Sequence, residues 1–249
     1  MFFSPRGEGT PCGMFTLPHL VALVICIILI FIGVKLTVKI KTEKVFKIIK
    51  LIAVTISFLE LIKILYNFHY GYKYLDAWFP LAFCSLFIYS TIMAGFLKNK
   101  IREMGISFIV GGGILAGIAF LIFPTTSLMM HPIYHFLSIH SMLFHSLMIY
   151  LGIVCYLKNM FIFNKKGYCL YIIFCLIFMI SALIINKIYD CNMMFLKESF
   201  NIPISLLQII NEKTPFLYKI IMILMYLIIP YGIMYLVDKI KNKGEQKHA

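Results

Sequence analysis

A cysteine, a pair of histidines and a carboxylate lie inside apolar stretches of this sequence, and together they are capable of nucleophilic chemistry. Cys84 lies in "WFPLAFCSLF", His140 and His145 lie in "IHSMLFHSLMIY", and Glu60 lies in a third apolar run. A cysteine reacts as its thiolate, which apolar surroundings disfavour, so the sulfur needs a base beside it. A histidine can take the thiol proton, and Glu60 can orient that histidine. This combination predicts covalent catalysis with Cys84 as the nucleophile.

The same residues also have structural interpretations that the sequence leaves open. Lys63 follows Glu60 by three residues on the same helix face, so the two can form an internal ion pair that fills the bundle. A single buried cysteine is typical of packing, because free cysteine behaves as a small apolar side chain. His131 and His135 are four residues apart and can share a helix face, but they lack an obvious third ligand, so no metal site is predicted.

The spacing of the histidines limits which of them can meet in one pocket. His135, His140 and His145 follow one another at five-residue steps, and each step turns about 140° around a regular helix. They therefore cannot all face one pocket unless a π-bulge interrupts the helix. The sequence leaves two candidates for the base, His145 and His140.

The elements that must position these residues are membrane helices. Of the 249 residues, 61% are hydrophobic and 13% are charged, and the mean hydropathy is +0.93. A soluble domain of this size carries roughly a quarter charged residues. The composition predicts an all-α fold, a polytopic membrane helical bundle that forms a single integral membrane domain over residues 1–249. No cofactor is predicted.

The net charge of +13 is distributed as a topology signal, since the lysines and arginines lie between the apolar runs. No basic patch with interleaved aromatic residues lies outside those runs, so nucleic-acid binding is not predicted. Basic residues are concentrated in the connections 35–50, 98–103 and 158–167 and in the C-terminal tail, which predicts an outside N-terminus and a cytoplasmic C-terminus. Seven spans are predicted, each long enough to cross a bilayer. They cover about 16–38, 45–67, 75–97, 104–123, 133–157, 168–188 and 215–237.

Three local patterns refine this topology. Pro80 precedes Cys84 by four residues, so the third helix can start or kink there. The stretch "VGGGILAGIAF", with Gly113 and Gly117, favours close packing of a neighbouring helix. The segment 189–214 separates the last two spans, and its "IPISLLQII" piece is too short to cross a bilayer and is expected at the surface.

The predicted topology brings the reactive residues to a similar depth. The second span runs outward, and the third and fifth run inward. Glu60, Cys84, His140 and His145 are therefore expected in the outer half of the membrane. A carboxylate, a thiol and an imidazole at one depth can form a catalytic site.

Five ordered segments give the sequence a resemblance to a known family. They are "FPLAFCSLF" with Cys84, "FPT" with Pro124, "IHSMLFHSLMIY" with His145, "NKIYDCNMMFL" with Asn192 and "TPFLYKI" with Tyr218. Over roughly residues 16–238, this set resembles the YwaF-type bacterial membrane proteins. That family is similar to a vertebrate cysteine acyltransferase of ether phospholipids, and distantly to the androgen-induced hydrolases of fatty acid esters. The resemblance implies a seven-span bundle with a Cys/His pair in its core.

The function that the resemblance implies is lipid acyl transfer or acyl-ester hydrolysis through a thioester on Cys84. His145 would move the proton, with His140 as the alternative. The supporting residues would be Glu60, Asn192 and Lys63. The expected partners are membrane phospholipids or acyl lipids, and the abundance of Ile, Lys, Asn, Phe and Tyr predicts a bacterial plasma membrane. The alternative is a non-enzymatic membrane protein, either a lipid- or small-molecule-binding subunit or a transporter, and a purely structural bundle also stays open.

Overall fold

The computed structural model describes residues 2–199 and 204–248, and helices dominate it. The chain is 76% helical, and the described residues include no strand. The helices longer than a single turn are α1 Leu17–Thr37, α2 Thr42–His69, α4 Leu86–Phe96, α5 Asn99–Phe108, α6 Ile114–Ile122, α8 Phe136–Leu157, α9 Lys165–Tyr189, α10 Ser205–Lys213 and α11 Pro215–His248. Two single turns, α3 Leu75–Trp78 and α7 Ser127–Met130, complete the set. A π-helical turn, Ile109–Gly113, joins α5 to α6.

Five helical segments in the described ranges are long and apolar enough to cross a bilayer. They are Leu17–Thr37, Asn99–Met130, Phe136–Leu157, Lys165–Tyr189 and Pro215–Lys243. The outermost of them, α1, buries only two of its side chains, His19 and Thr37, and leaves a broad apolar surface exposed. Such a surface is stable in hydrocarbon and not in water. The chain is therefore a multi-pass membrane protein.

The predicted third span, 75–97, is wrong as a continuous helix. The chain forms the short turn α3, leaves helical geometry from Phe79 to Ser85, and resumes as the eleven-residue helix α4. Pro80 explains the break, because proline has no N–H to donate and forces the residue before it out of the α region. Phe79 accordingly has φ −77° and ψ 124°. The break predicted at Pro80 is confirmed, and it moves Cys84 from the middle of a helix to the turn that begins α4.

The close packing predicted for the glycine-rich stretch is confirmed at Gly117. A Cβ atom there would lie 2.8 Å from the carbonyl oxygen of His145, so α6 and α8 approach to a distance that only glycine allows. The π-helical geometry falls in this stretch, at Ile109–Gly113, whereas α8 is a regular helix over its whole length.

Residues 2–16 form a strap that folds back over the ends of α2 and α8. The carbonyl oxygen of Ser4 accepts hydrogen bonds from the Tyr66 hydroxyl, at 2.7 Å, and from His135 Nε2, at 3.0 Å. Farther along, the backbone N–H of Cys12 donates to the carbonyl of His131 at 2.9 Å. Side chains of two helices thus fix the strap on the bundle.

Candidate functional site

All six residues predicted for the site line one cavity of about 610 Å³ between the helices. The cavity is bounded by α2, the turn before α4, the α6–α8 region and the loop after α9. The six predicted residues on its wall are Glu60, Lys63, Cys84, His140, His145 and Asn192. Four of them, Glu60, Cys84, His140 and His145, were expected at a similar depth, and they line the same cavity.

Cys84 occupies the N-terminal end of α4. Its backbone carbonyl accepts from the N–H of Phe87, and among the described backbone contacts the N–H groups of Cys84 and Ser85 donate to no carbonyl. These two N–H groups lie beside the cysteine sulfur. Unsatisfied N–H groups and the helix dipole favour negative charge at a helix N-terminus. The position therefore leaves two N–H donors near the sulfur that a continuous helix would have used.

His145 presents one ring nitrogen to the cavity as a base. Its Nδ1–H donates to the carbonyl of Ser141 at 2.7 Å, and its ring stacks on Phe120 with 3.7 Å between centroids. A neutral imidazole that donates from Nδ1 carries a lone pair on Nε2. His145 Nε2 is buried and has no hydrogen-bond partner in the described part of the chain. The ring is thus fixed in the tautomer that a proton acceptor requires.

His140 has a different environment from His145, because it belongs to a charged cluster. Glu60 forms an ion pair with Lys63, with 2.5 Å between Oε1 and Nζ. The other carboxylate oxygen, Oε2, lies 3.7 Å from His140 Nε2. The internal Glu60–Lys63 pair is therefore confirmed, and it extends to a histidine. The charges that act on the Cys84 sulfur come from this same pair.

The expectation that His135, His140 and His145 do not all face one pocket is confirmed, because His135 is absent from the cavity wall. His140 and His145 both line the cavity from the regular helix α8. The reason is the size of the cavity, which extends around α8 far enough for side chains about 140° apart to reach it. His135 is excluded for another reason, since it caps α8: its Nδ1 accepts from the N–H of Leu137 and its Nε2 donates to Ser4.

In this geometry His135 cannot act as a metal ligand beside His131. Both ring nitrogens of His135 are engaged by the backbone, so neither is open to a cation. The two rings stack with their centroids 4.0 Å apart. The described residues contain no group of three or more His, Cys, Asp or Glu side chains placed to hold an ion.

Asn192 shapes a loop instead of reaching into the cavity. Its Oδ1 accepts from the N–H groups of Lys197 and Glu198, and its Nδ2 donates to the carbonyl of Glu198. The loop 191–198 is held further by two tyrosines of α11, whose hydroxyls donate to the carbonyls of residues 194 and 195. Asn192 is therefore a positioning residue for this wall. One N–H of its amide has no partner among the described residues, and its predicted supporting role stays a prediction.

Sequence reasoning missed the part of the site that the strap supplies. Arg6 lines the cavity, donating from Nη2 to Asn67 Oδ1 at 2.8 Å and lying over the Tyr72 ring at 4.3 Å from its centroid. No sequence pattern around Arg6 predicts its place on the cavity wall, because a polar N-terminal segment is ordinarily interpreted as an extramembrane tail. Close to Arg6 in the described chain, Gly7 and Gly9, both with φ +82°, mark a turn.

The arrangement brings a thiol at a helix N-terminus and an acceptor nitrogen to one enclosed space. Cys84 is only half-buried, and no hydrogen bond joins its sulfur to a histidine within the described residues. The space between them is lined by apolar and polar side chains together, including Phe79, Phe144 and Met194. Such a cavity accommodates an amphipathic molecule whose ester lies between the two reactive atoms.

Comparison with known proteins identifies the group to which the chain is related. A family model described as the TMEM164 family matches residues 14–235. No curated protein and no solved structure matches the chain. Because the match covers most of the sequence, the chain belongs to the TMEM164 family, a family of membrane proteins. The strap up to residue 13 lies outside the matched region.

Proposed function

We propose that this TMEM164-family protein is a membrane-embedded lipid acyltransferase or acyl-ester hydrolase that works through a thioester on Cys84. The observation that carries the proposal is the pairing of two features on one cavity wall. Cys84 lies at the N-terminus of α4 with N–H groups that donate to no carbonyl, and His145, whose Nε2 has no partner among the described residues, lines the same cavity. A nucleophile, a base and donors for an oxyanion are the parts that acyl transfer requires.

The reaction uses these parts in two balanced steps. In the first, His145 Nε2 takes the thiol proton, the Cys84 sulfur bonds to the ester carbonyl carbon, and the carbon–oxygen bond breaks. The proton on His145 goes to the departing alcohol, which leaves as the lysolipid. In the second, an acceptor hydroxyl, of another lysolipid or of water, gives its proton to His145 and attacks the thioester. The carbon–sulfur bond breaks, the acyl chain stays on that oxygen, and the proton on His145 returns to the sulfur and restores the thiol.

The backbone N–H groups of Cys84 and Ser85 serve both charged states of this cycle. They lie beside the sulfur, so they stabilise the thiolate before attack and the carbonyl oxygen during attack. The Glu60–Lys63 pair adds a fixed dipole, and His140 links that pair to α8. His145 is proposed as the base in preference to His140, because the Ser141 carbonyl holds its Nδ1–H and leaves Nε2 as the acceptor, whereas no such bond fixes the tautomer of His140 in the described structure.

The membrane topology in this proposal has seven spans, an outside N-terminus and a cytoplasmic C-terminus in a bacterial plasma membrane. The five long apolar helices supply five of these spans. The 28-residue helix α2 and the broken α3–α4 segment supply the other two. The alternation of basic connections supports this orientation. Green fluorescent protein fused to the C-terminus should fluoresce, as it does in the cytoplasm, and a dark fusion of intact protein would contradict the orientation.

The test is to trap the acyl-enzyme. Purified protein in lipid nanodiscs is incubated with a phospholipid that carries an alkyne-tagged acyl chain, and the tag is then located by mass spectrometry. We expect a hydroxylamine-labile acyl group on Cys84 in the wild type and none in Cys84→Ala. We expect His145→Ala to slow its formation at least a hundredfold.

Cys26→Ala is the matched control, because Cys26 is also partly buried but lies in α1 away from the cavity. Its acylation rate should equal that of the wild type. Acylation spread over several cysteines, or labelling of Cys84 that is independent of His145, would refute the mechanism.

A lipid-binding or transport protein is the second candidate, and one observation favours it. Cys84 makes no hydrogen bond to a histidine in the described structure, while Glu60, Lys63 and His140 form a charged cluster in the cavity. Such clusters bind protons or solutes in membrane carriers. The substitution Glu60→Gln separates the two, since it should abolish coupling in a carrier and only slow a Cys/His enzyme.

A further inference from the structure

We propose that Arg6 of the strap, with the buried side chains of His131 and Ser127, binds the phosphate group of the lipid whose acyl ester reaches Cys84. This inference rests on the proposed function, and it names a residue that sets substrate specificity. It concerns a segment that lies outside the region matched by the family. The headgroup would then be recognised by Arg6 outside the matched region together with Ser127 and His131 inside it.

Arg6 is built into the cavity wall and still has free donors. Its backbone N–H donates to the Tyr72 hydroxyl at 2.8 Å, and its Nη2 donates to Asn67. A guanidinium carries five N–H donors, so four of them stay open to a ligand. The ring of Tyr72 beneath the guanidinium fixes its plane at a distance of 4.3 Å. A planar guanidinium with adjacent open donors matches the oxygens of a phosphate.

The charge of Arg6 is not neutralised by the described residues. Among the described residues no carboxylate lies within ion-pair distance of it, although Glu8 follows it by two positions. The other charged side chains on the wall have partners: Lys63 pairs with Glu60, Asp76 accepts from the N–H of Asn192 at 3.3 Å, and Glu198 lies 3.7 Å from Lys197. A half-buried cation without an anionic partner carries a desolvation cost. An anionic ligand would remove that cost.

Two buried polar atoms on the same cavity wall also lack partners. His131 Nδ1 and Ser127 Oγ are enclosed and form no hydrogen bond within the described residues. His131 is 1% exposed and Ser127 is 9% exposed, and both line the cavity with Arg6. Buried polar groups are ordinarily satisfied, so two unsatisfied ones in a cavity that also holds an unpaired cation indicate a ligand.

The position of this subsite agrees with the geometry of a phospholipid. Arg6 of the strap and His131 line the same cavity as Cys84 and His145. A glycerophospholipid carries its acyl esters a few bonds from its phosphate. The phosphate can therefore sit on Arg6 while an acyl ester reaches the sulfur.

The experiment compares lipid binding with and without the phosphate, so it does not depend on turnover. Full-length protein in neutral detergent is titrated with phosphatidylglycerol, with diacylglycerol of the same acyl chains, and with inorganic phosphate, and bound lipid is counted by native mass spectrometry. We expect phosphatidylglycerol to bind at least tenfold more tightly than diacylglycerol, and Arg6→Gln to erase that preference, as loss of a charge-assisted hydrogen bond would. We expect Arg6→Lys to retain part of it.

Two controls separate the charge from the fold of the strap. Arg102→Gln removes an arginine that also lies over an aromatic ring but does not line the cavity, so the preference should be unchanged. Asn67→Leu removes the hydrogen bond that anchors Arg6 and keeps its charge, so the preference should persist. A preference that survives Arg6→Gln, or is lost in Asn67→Leu as completely as in Arg6→Gln, would overturn the proposal.

The remaining outcomes distinguish this inference from the proposed function. Inorganic phosphate that binds as tightly as phosphatidylglycerol would overturn recognition of a lipid phosphate, because the subsite would then serve a free ion. The Cys84→Ala variant should keep the Arg6-dependent preference. If it does and the wild type never forms a thioester, the acyl-transfer proposal fails while the phosphate subsite stands.

Discussion

The contact between Gly117 and α8 gives a prediction whose size follows from the structure. A Cβ atom at Gly117 would lie 2.8 Å from the His145 carbonyl oxygen and 2.7 Å from Ile149 Cγ1, whereas ordinary contact begins at 3.4 Å. A backbone carbonyl cannot rotate away, so α6 and α8 must separate by about 0.6 Å beside His145. Overpacking of this kind costs about 1–3 kcal/mol, and the better helix propensity of alanine returns up to about 1 kcal/mol.

Gly117→Ala should therefore lower both stability and activity. A net loss of about 1–2 kcal/mol corresponds to a fall of roughly 2–8 °C in the melting temperature for a chain of this length. Since misplacement of a catalytic group by about 1 Å costs roughly a hundredfold in rate, acylation of Cys84 should slow by about tenfold or more. Thermal unfolding in nanodiscs and single-turnover acylation measure the two effects.

Gly232→Ala is the matched control, because no described atom lies within 4 Å of the Cβ it would add. It should raise stability by up to about 1 kcal/mol through helix propensity and leave acylation unchanged. If Gly117→Ala behaves like Gly232→Ala, the helices do not meet at His145 as described, and the reasoning about its position fails.

Two further predictions concern the charged groups. Glu60→Gln leaves Lys63 without its partner. Because Glu60 is 4% exposed and the Lys63 side chain is 25% exposed, we expect a loss of about 2 kcal/mol in unfolding free energy, which the added substitution Lys63→Met should largely restore. Equal stabilities for the single and double variants would contradict the ion pair. Burial, with smaller effects from His135 and Arg6, lowers the pKa of His131 from 6.5 to about 4, so its contribution to stability is full above pH 6.5 and is lost as the pH falls toward 4. The melting temperature should fall across that window, less steeply in His131→Asn than in the wild type, and the exposed His69→Asn should not change the slope.

The long apolar helices could be predicted from the sequence because hydropathy is a strong local signal. The predicted span 16–38 corresponds to α1 at Leu17–Thr37, and 168–188 lies within α9 at Lys165–Tyr189. The helix 75–97 could not be predicted correctly, since apolarity continues through Phe79–Ser85 while the backbone geometry does not. Proline marks where a helix breaks, and tertiary packing decides how far the irregular segment extends.

The candidate site was predictable as a set of residues and not as a set of roles. Depth along alternating spans placed Cys84 and the α8 histidines together, and all line the cavity. The distinction between His140 and His145 depends on the partner of each ring, which spacing does not contain. Asn192 was selected by motif, but its hydrogen bonds belong to its own loop. No hydrophobic periodicity or motif in the sequence pointed to Arg6 as a site residue.

The irregular backbone of this protein explains where its chemistry lies. Non-helical segments inside a membrane protein are tolerated only where they are buried in protein or line a polar cavity, because hydrocarbon cannot satisfy their N–H and C=O groups. Two such segments, 79–85 and 123–126, contribute residues to the same cavity wall. Each break leaves donors or acceptors that a continuous helix would have consumed, and the free N–H groups at Cys84 are one instance. In the proposed mechanism, the thiol and the irregular segments occur together for one physical reason: an oxyanion needs unsatisfied backbone donors, and within the bilayer a cavity lined by protein allows them to exist.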